Sequence, residues 1–168
     1  MTARAVAGLL DRAARLTEWS VGKYESVERM THAMSDGSAQ TMFAADQASQ
    51  GLGITLLEAG GGAAKLRMTV TGAMVNGHGI AHGGYLFLFA DTAFACACNS
   101  HGPVTVASGA DISFVRSAEE GDDLVAVAEE RTRYGRSGIY DVSILRDGEV
   151  IAEFRGRSRT VRGMEESP

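Results

Sequence analysis

Asp91 is the single charge in an apolar run that extends from Tyr85 to Cys98. A helix apolar on all sides is normally buried. A buried carboxylate without a partner is costly and is driven towards its protonated form. Two readings follow. A neighbouring amide, hydroxyl or Arg satisfies Asp91 as a structural acid, or Asp91 is a catalytic carboxylate presented from a rigid element. Perturbed carboxylates gather at functional sites, which favours the second. The run is preceded by a loop of Gly and His: Asn76-Gly77-His78-Gly79-Ile80-Ala81-His82-Gly83-Gly84.

The remaining reactive side chains narrow the chemistry. Cys96 and Cys98 are the only cysteines and sit two apart in the predicted helix, so they point to different sides. They suggest neither a disulfide nor a zinc site, and read as small buried packing residues. No acid or Cys joins His32, His78, His82 and His101 at ligand spacing, so no metal and no cofactor are expected. His78 faces ligand or solvent. His101 follows the predicted helix and is expected to interact with its C-terminus.

The net charge of −5, from 16 basic and 21 acidic side chains, gives no reason to expect nucleic acid. No apolar run reaches the roughly 20 residues of a membrane span, and the N-terminus lacks the long apolar core of a secretory signal. The expected location is the cytoplasm, with no membrane partner.

The elements that position Asp91 can be read in order. At 168 residues and 45% apolar, the chain fits one domain with a sizeable core. Residues 1–38 read as an N-terminal extension, partly helical or disordered. Within it, Val6, Leu9, Leu10, Ala13 and Leu16 give residues 2–18 an apolar helical face, opposite Arg4, Asp11, Arg12 and Arg15. Residues 39–50 read as a short helix, with Met42, Phe43, Ala45 and Ala48 apolar and Gly51 and Gly53 stopping it. Ile54 to Leu57 and Ala64 to Thr71 form a hairpin across Gly60-Gly61-Gly62, with Leu66, Met68 and Val70 on one side.

After the central helix come four strands: Val104 to Val115, Asp123 to Arg133, Ser137 to Leu145 and Glu149 to Val161. Leu124, Ala126 and Ala128 share one face. Asp147-Gly148 marks a tight hairpin turn. In the last strand Val150, Ala152 and Phe154 are expected to face one way, and Arg155, Arg157 and Arg159 the exposed way. Tyr85, Phe87, Phe89 and Phe94 are expected in the core, and residues 162–168 as a loose tail. A helix this apolar must be wrapped, and a curved antiparallel sheet of about five or six strands can do so. The predicted class is α+β, one long helix cradled by the sheet over residues 39–161. The sheet's edge strands need cover, often from a second copy.

These residues resemble a known family. Asn76, His82-Gly83-Gly84 and Asp91, followed by Asn99-Ser100 and Gly102, are similar to hotdog-fold thioesterases, and most of all to the PaaI-like branch of phenylacetate degradation. The likeness spans residues 39–161. It includes Met42-Phe43, Asp46, Gly51-Leu52-Gly53-Ile54, Phe114-Val115-Arg116, Gly121-Asp122, Gly135-Arg136-Ser137-Gly138-Ile139-Tyr140-Asp141-Val142 and Phe154-Arg155-Gly156.

The resemblance implies hydrolysis of an acyl-coenzyme A thioester, such as phenylacetyl or hydroxyphenylacetyl, with medium-chain acyl groups open. It implies Asp91 as nucleophile or general base, and Asn76 as the group that helps place the thioester or a water. His82 would support the loop or the thioester carbonyl. Gly83 lies where the helix begins, and helix N-termini carry free N–H groups, so its amide is a natural oxyanion donor, with Gly84 allowing close approach. The phosphates of coenzyme A call for a basic cluster among Arg131, Arg133 and Arg136, with Gly135, Arg136 and Ser137 the best fit.

Gly83 and Asp91 are eight residues apart, about 12 Å along a helix, too far for one thioester within one chain. A homodimer with shared sites is expected, and the family implies a homotetramer. The alternative function is a non-catalytic acyl-coenzyme A sensor of the same fold, disfavoured by the intact Asp91. An enoyl-thioester hydratase is disfavoured because His82 and Asp91 fall on nearly opposite helix sides.

Overall fold

Helix α3 (Gly83–Asn99) is the axis around which the chain folds. The computed structural model describes residues 37–161. The helix expected at 2–18 and the tail at 162–168 lie outside the described residues.

Two short helices, α1 (Ser38–Ala45) and α2 (Gln47–Gly51), lead into β1 (Thr55–Gly60) and β2 (Ala63–Thr69). A 3-10 turn at Gly72–Met74 then precedes α3. Strands β3 (Thr105–Phe114), β4 (Asp123–Tyr134), β5 (Ser137–Arg146) and β6 (Glu149–Thr160) complete the described chain. The six strands form one curved antiparallel sheet in the order β1-β2-β4-β5-β6-β3.

Strand alternation builds the inner face. Leu66, Met68, Leu124, Ala126, Val142, Ile144, Ala152 and Phe154 meet Leu86, Phe89, Ala90, Ala93, Phe94 and Ala97 of α3. Each large apolar side chain buried here contributes roughly 1.5–3 kcal/mol. Close approach of helix to sheet depends on Gly156: a Cβ there would lie 2.7 Å from Phe94 Cδ2. The Phe94 ring also meets Tyr140 edge-on at 5.4 Å between centroids.

Three local expectations are corrected. The single helix expected over 39–50 is two, broken at Asp46. The Asp46 carboxylate accepts from Ser49 N (3.1 Å) and Ser49 Oγ (2.5 Å), and so caps α2. Val150 does not share a face with Ala152 and Phe154. A β-bulge at Ile151, where Leu145 pairs Val150 and Ile144 pairs Ala152, turns Val150 to the outer face. Phe87 is 36% exposed rather than core, although its ring packs edge-on to Phe154 at 5.3 Å.

The hairpin expected at Asp147-Gly148 is present. Both residues have positive φ, 51° and 78°, as the tight two-residue turn demands. Arg155 and Arg157 lie exposed as expected, paired with Asp141 and Asp111. Cys96 and Cys98 are buried free thiols.

Candidate active site

The loop before α3 is tightly built. Asn76 Oδ1 accepts from His78 N (2.8 Å) and Ile80 N (3.4 Å), and Asn76 N donates to Ile80 O (2.8 Å). Gly79 turns the chain at φ 77°, in the left-handed region that favours Gly. Ala81 N donates to Ala118 O (2.8 Å) and His82 N to Met74 O (2.8 Å), which fixes where α3 starts. Asn76 is therefore a loop organiser through its oxygen. His78 is exposed and contributes its backbone.

His82 is the N-cap of α3. Its Nδ1 accepts from Gly84 N at 2.9 Å, and its carbonyl accepts from Tyr85 N at 2.9 Å. The Gly83 N–H makes no hydrogen bond among the described residues. It lies at the positive end of a 17-residue helix, as a donor without an acceptor. Phe114 of β3 packs over it: a Cβ at residue 83 would lie 2.8 Å from Phe114 Cζ. Sequence reasoning missed this contact, because nothing local pairs residue 83 with residue 114.

Asp91 lies two turns further along α3 and is half-buried. Burial raises its pKa above the ordinary value near 3.8, and among the described residues no cation or hydrogen bond lowers it again. Next to it, Thr92 is tied down. Its Oγ1 lies 2.8 Å from Ser49 Oγ and donates to Leu88 O at 2.9 Å. The chain Asp46–Ser49–Thr92 thus fixes α2 against α3 beside Asp91. The sequence signal was Asp46 followed three residues on by Ser49, the pattern of a helix cap.

Gly135, Arg136 and Ser137 lie elsewhere. The β4–β5 turn holds them, with Gly135 at φ 58°. They line a pocket with Cys98, His101, Arg133, Tyr140, Ser158 and Thr160. Cys98 belongs to the last turn of α3, so this pocket is about 10 Å along the helix from Asp91 and roughly 20 Å from Gly83. The predicted site residues therefore fall into two groups at opposite ends of α3, with Asp91 between.

His101 does not bond the helix C-terminus as expected. Its Nε2 lies 2.7 Å from Glu130 Oε2, which also accepts from Tyr140 Oη at 2.9 Å. Asn99 and Ser100 already occupy the last carbonyls of α3, which leaves His101 to pair with Glu130. No group of three His, Cys, Asp or Glu suited to a metal occurs among the described residues.

A family model described as "Thioesterase superfamily" matches residues 78–153, which include the α3 start, Asp91 and the β4–β5 turn. The chain is 42% identical over 127 residues to the acyl-coenzyme A thioesterase PaaI of Escherichia coli, covering 75% of this chain and 91% of that protein. The solved structure of the E. coli PaaI protein superposes with a TM-score of 0.72, covering 75% of this chain and 92% of that one. The phenylacetic acid degradation protein PaaI of Thermus thermophilus, solved as a mutant, is 32% identical with a TM-score of 0.67, covering 69% of this chain and 100% of that one. No described helix is long and apolar enough to cross a membrane. A fold of one apolar helix in an antiparallel sheet, matched along its length by these relatives, means that the chain belongs to the thioesterase superfamily, as a hotdog-fold enzyme of the PaaI-like kind.

Proposed function

We propose that this protein hydrolyses acyl-coenzyme A thioesters of the phenylacetyl or hydroxyphenylacetyl class. The observation that carries this reading is Asp91: a half-buried carboxylate with a raised pKa and no partner among the described residues. An unpaired acid on a helix whose first amide is also unbonded suits acyl transfer to water. The thioester oxygen would take the Gly83 N–H as its charge develops. Asp91 would deliver the oxygen nucleophile, by attack through an anhydride or by taking a proton from water. The carbon–sulfur bond breaks, and coenzyme A leaves as the thiol once its sulfur is protonated.

Gly83 and Asp91 of one chain are about 12 Å apart along α3, so each site takes Gly83 from one copy and Asp91 from another. Strand β3 is a sheet edge with Val106 and Phe114 exposed, and Phe114 packs on Gly83; this edge suits a second copy. A dimer, or a tetramer of two dimers, is the expected active unit. Arg133, Arg136 and Ser137 would receive the phosphates, separated from the thioester by the pantetheine arm. No cofactor takes part, and the expected setting is the cytoplasm.

The test is free-thiol release from a panel of aryl and aliphatic acyl-coenzyme A esters. Turnover led by phenylacetyl esters is the expected result. Binding without thiol release would replace this reading with that of a sensor. Sedimentation supplies the second check: a fully active monomer would defeat the shared site.

A further inference from the structure

Strand β3 ends on Phe114, which pairs with Ala152 of β6, a residue buried in the core. Directly paired residues of adjacent strands share a face, so Phe114 is turned to the inner, helix side of the sheet. Ile112, two residues back, packs against the core from the same side. Phe114 is nevertheless 54% exposed. An inward-facing ring that stays half open on an edge strand lines a space that the described residues of one copy leave unfilled.

The ring meets α3 tip first. A Cβ at residue 83 would lie 2.8 Å from its Cζ, 3.2 Å from Cε2 and 3.4 Å from Cε1. Glycine at 83 is therefore what admits the ring. The ring's tip lies against the residue whose N–H has no acceptor among the described residues. One turn along α3, Phe87 is also exposed, its ring edge-on to Phe154, which pairs with Ile112 of β3. Gly83, Phe87 and Asp91 follow at four-residue steps along one flank of the helix. An apolar wall of Phe114 and Phe87 thus runs from the free amide towards the carboxylate.

The distances suit the acyl group of a bound thioester. A carbonyl oxygen held by the Gly83 N–H at about 2.9 Å puts its carbon roughly 4 Å from that nitrogen. In an arylacetyl group the aromatic ring begins two bonds beyond that carbon, within reach of the Phe114 ring. Aromatic pairs attract at about 4.5–7 Å between centroids. Such a pair favours an aryl group over a linear chain of equal apolar area by roughly two- to tenfold.

We propose that Phe114 is a specificity-determining residue: its ring, admitted by Gly83, packs on the ring of an arylacetyl thioester and sets the preference for aryl over linear acyl groups. The inference rests on the thioesterase reading above, and adds to it the side chain that reads the acyl group. Because each site combines two copies, Phe114 does this at their seam, on the side of the copy that supplies the Gly83 amide.

The experiment is thiol release by the full chain from phenylacetyl and octanoyl coenzyme A, esters of equal acyl carbon count. Wild type, Phe114→Leu and Phe114→Ile are compared. Leu keeps apolar cover without a ring. Ile does the same with a side chain suited to a strand, so one variant reads out if the other folds poorly. In both, the phenylacetyl-to-octanoyl ratio of kcat/KM should fall roughly five- to tenfold, with sedimentation unchanged. Equal losses on the two esters make the ring a structural contact and overturn the proposal. A loss of oligomer mass makes it an interface contact and overturns it too, as does a wild type without aryl preference. A wild type that releases no thiol from any ester brings down the thioesterase reading itself, and this inference with it. Wild-type turnover with an unchanged ratio in the variants sinks the role of Phe114 alone.

Discussion

The two ends of α3 are built on opposite principles. At the C-terminal end the polar side chains of Asn99 and Ser100 are both engaged. Asn99 Nδ2 donates to Ala95 O (3.0 Å) and Thr105 O (2.8 Å), and its Oδ1 accepts from Thr105 N (2.9 Å). Ser100 Oγ donates to Ala97 O (2.8 Å) and accepts from Gly62 N (2.8 Å). At the N-terminal end one side chain, His82, caps one amide, and the Gly83 N–H has no acceptor among the described residues. Halfway along, Asp91 is desolvated and has no hydrogen bond or ion pair among the described residues. The closed end holds the helix in the sheet; the open end keeps hydrogen-bonding capacity that the described residues leave unused. Stability and chemistry are thus separable along one element, and substitutions should sort accordingly.

The largest effect is expected at the open side. Asp91→Asn keeps the shape and removes the charge, and thiol release should fall at least about 100-fold, roughly 2.7 kcal/mol of barrier. Its stability should move the other way. The folded pKa of Asp91 is raised, so its favourable contribution exists at low pH and is lost as pH rises through that pKa. At neutral pH the variant should melt at or above the wild-type temperature; a clear drop would make Asp91 a structural acid.

At the closed end Asn99→Ala removes three hydrogen bonds, two of them buried, and should lower stability by about 2 kcal/mol. Denaturant titration measures it, and kcat at room temperature should change little. Gly83→Ala comes next. The new Cβ must displace the Phe114 ring, and a loss of about tenfold in rate, some 1.4 kcal/mol, is expected. Adding Phe114→Ala should recover part of it, which a purely conformational effect at residue 83 would not allow.

His82→Ala removes the cap and should cost about 1 kcal/mol, most of it returned by His82→Asn, a favoured cap residue. The gentlest probe is pH. The reactive form of Asp91 is ionised, so kcat/KM should rise with pH through a limb above the ordinary carboxylate range, and Asp91→Asn should abolish that limb.

Much of the architecture was legible because it rests on period and punctuation. Leu66-Met68-Val70 and Leu124-Ala126-Ala128 alternate into the core, Asp147-Gly148 turns where it should, and the unbroken apolar run is α3. Asp91 stood out because a charge in such a run is costly. What escaped notice depended on neighbours distant in sequence. Ile151 bulges, so alternation misplaced Val150. His101 found Glu130, 29 residues on, rather than the adjacent helix end. The ring over Gly83 comes from β3, whose register against β6 no local pattern announces.

The two cysteines have a practical bearing on all of these experiments. Both are buried, and desolvation pushes both thiols up to about 12. Disulfide reagents react with thiolates, so the native enzyme is silent towards the dye that counts released coenzyme A. Only an unfolded chain would add colour, two equivalents per molecule. A substrate-free baseline then reports global opening of α3, in the same cuvette and on the same axis as catalysis.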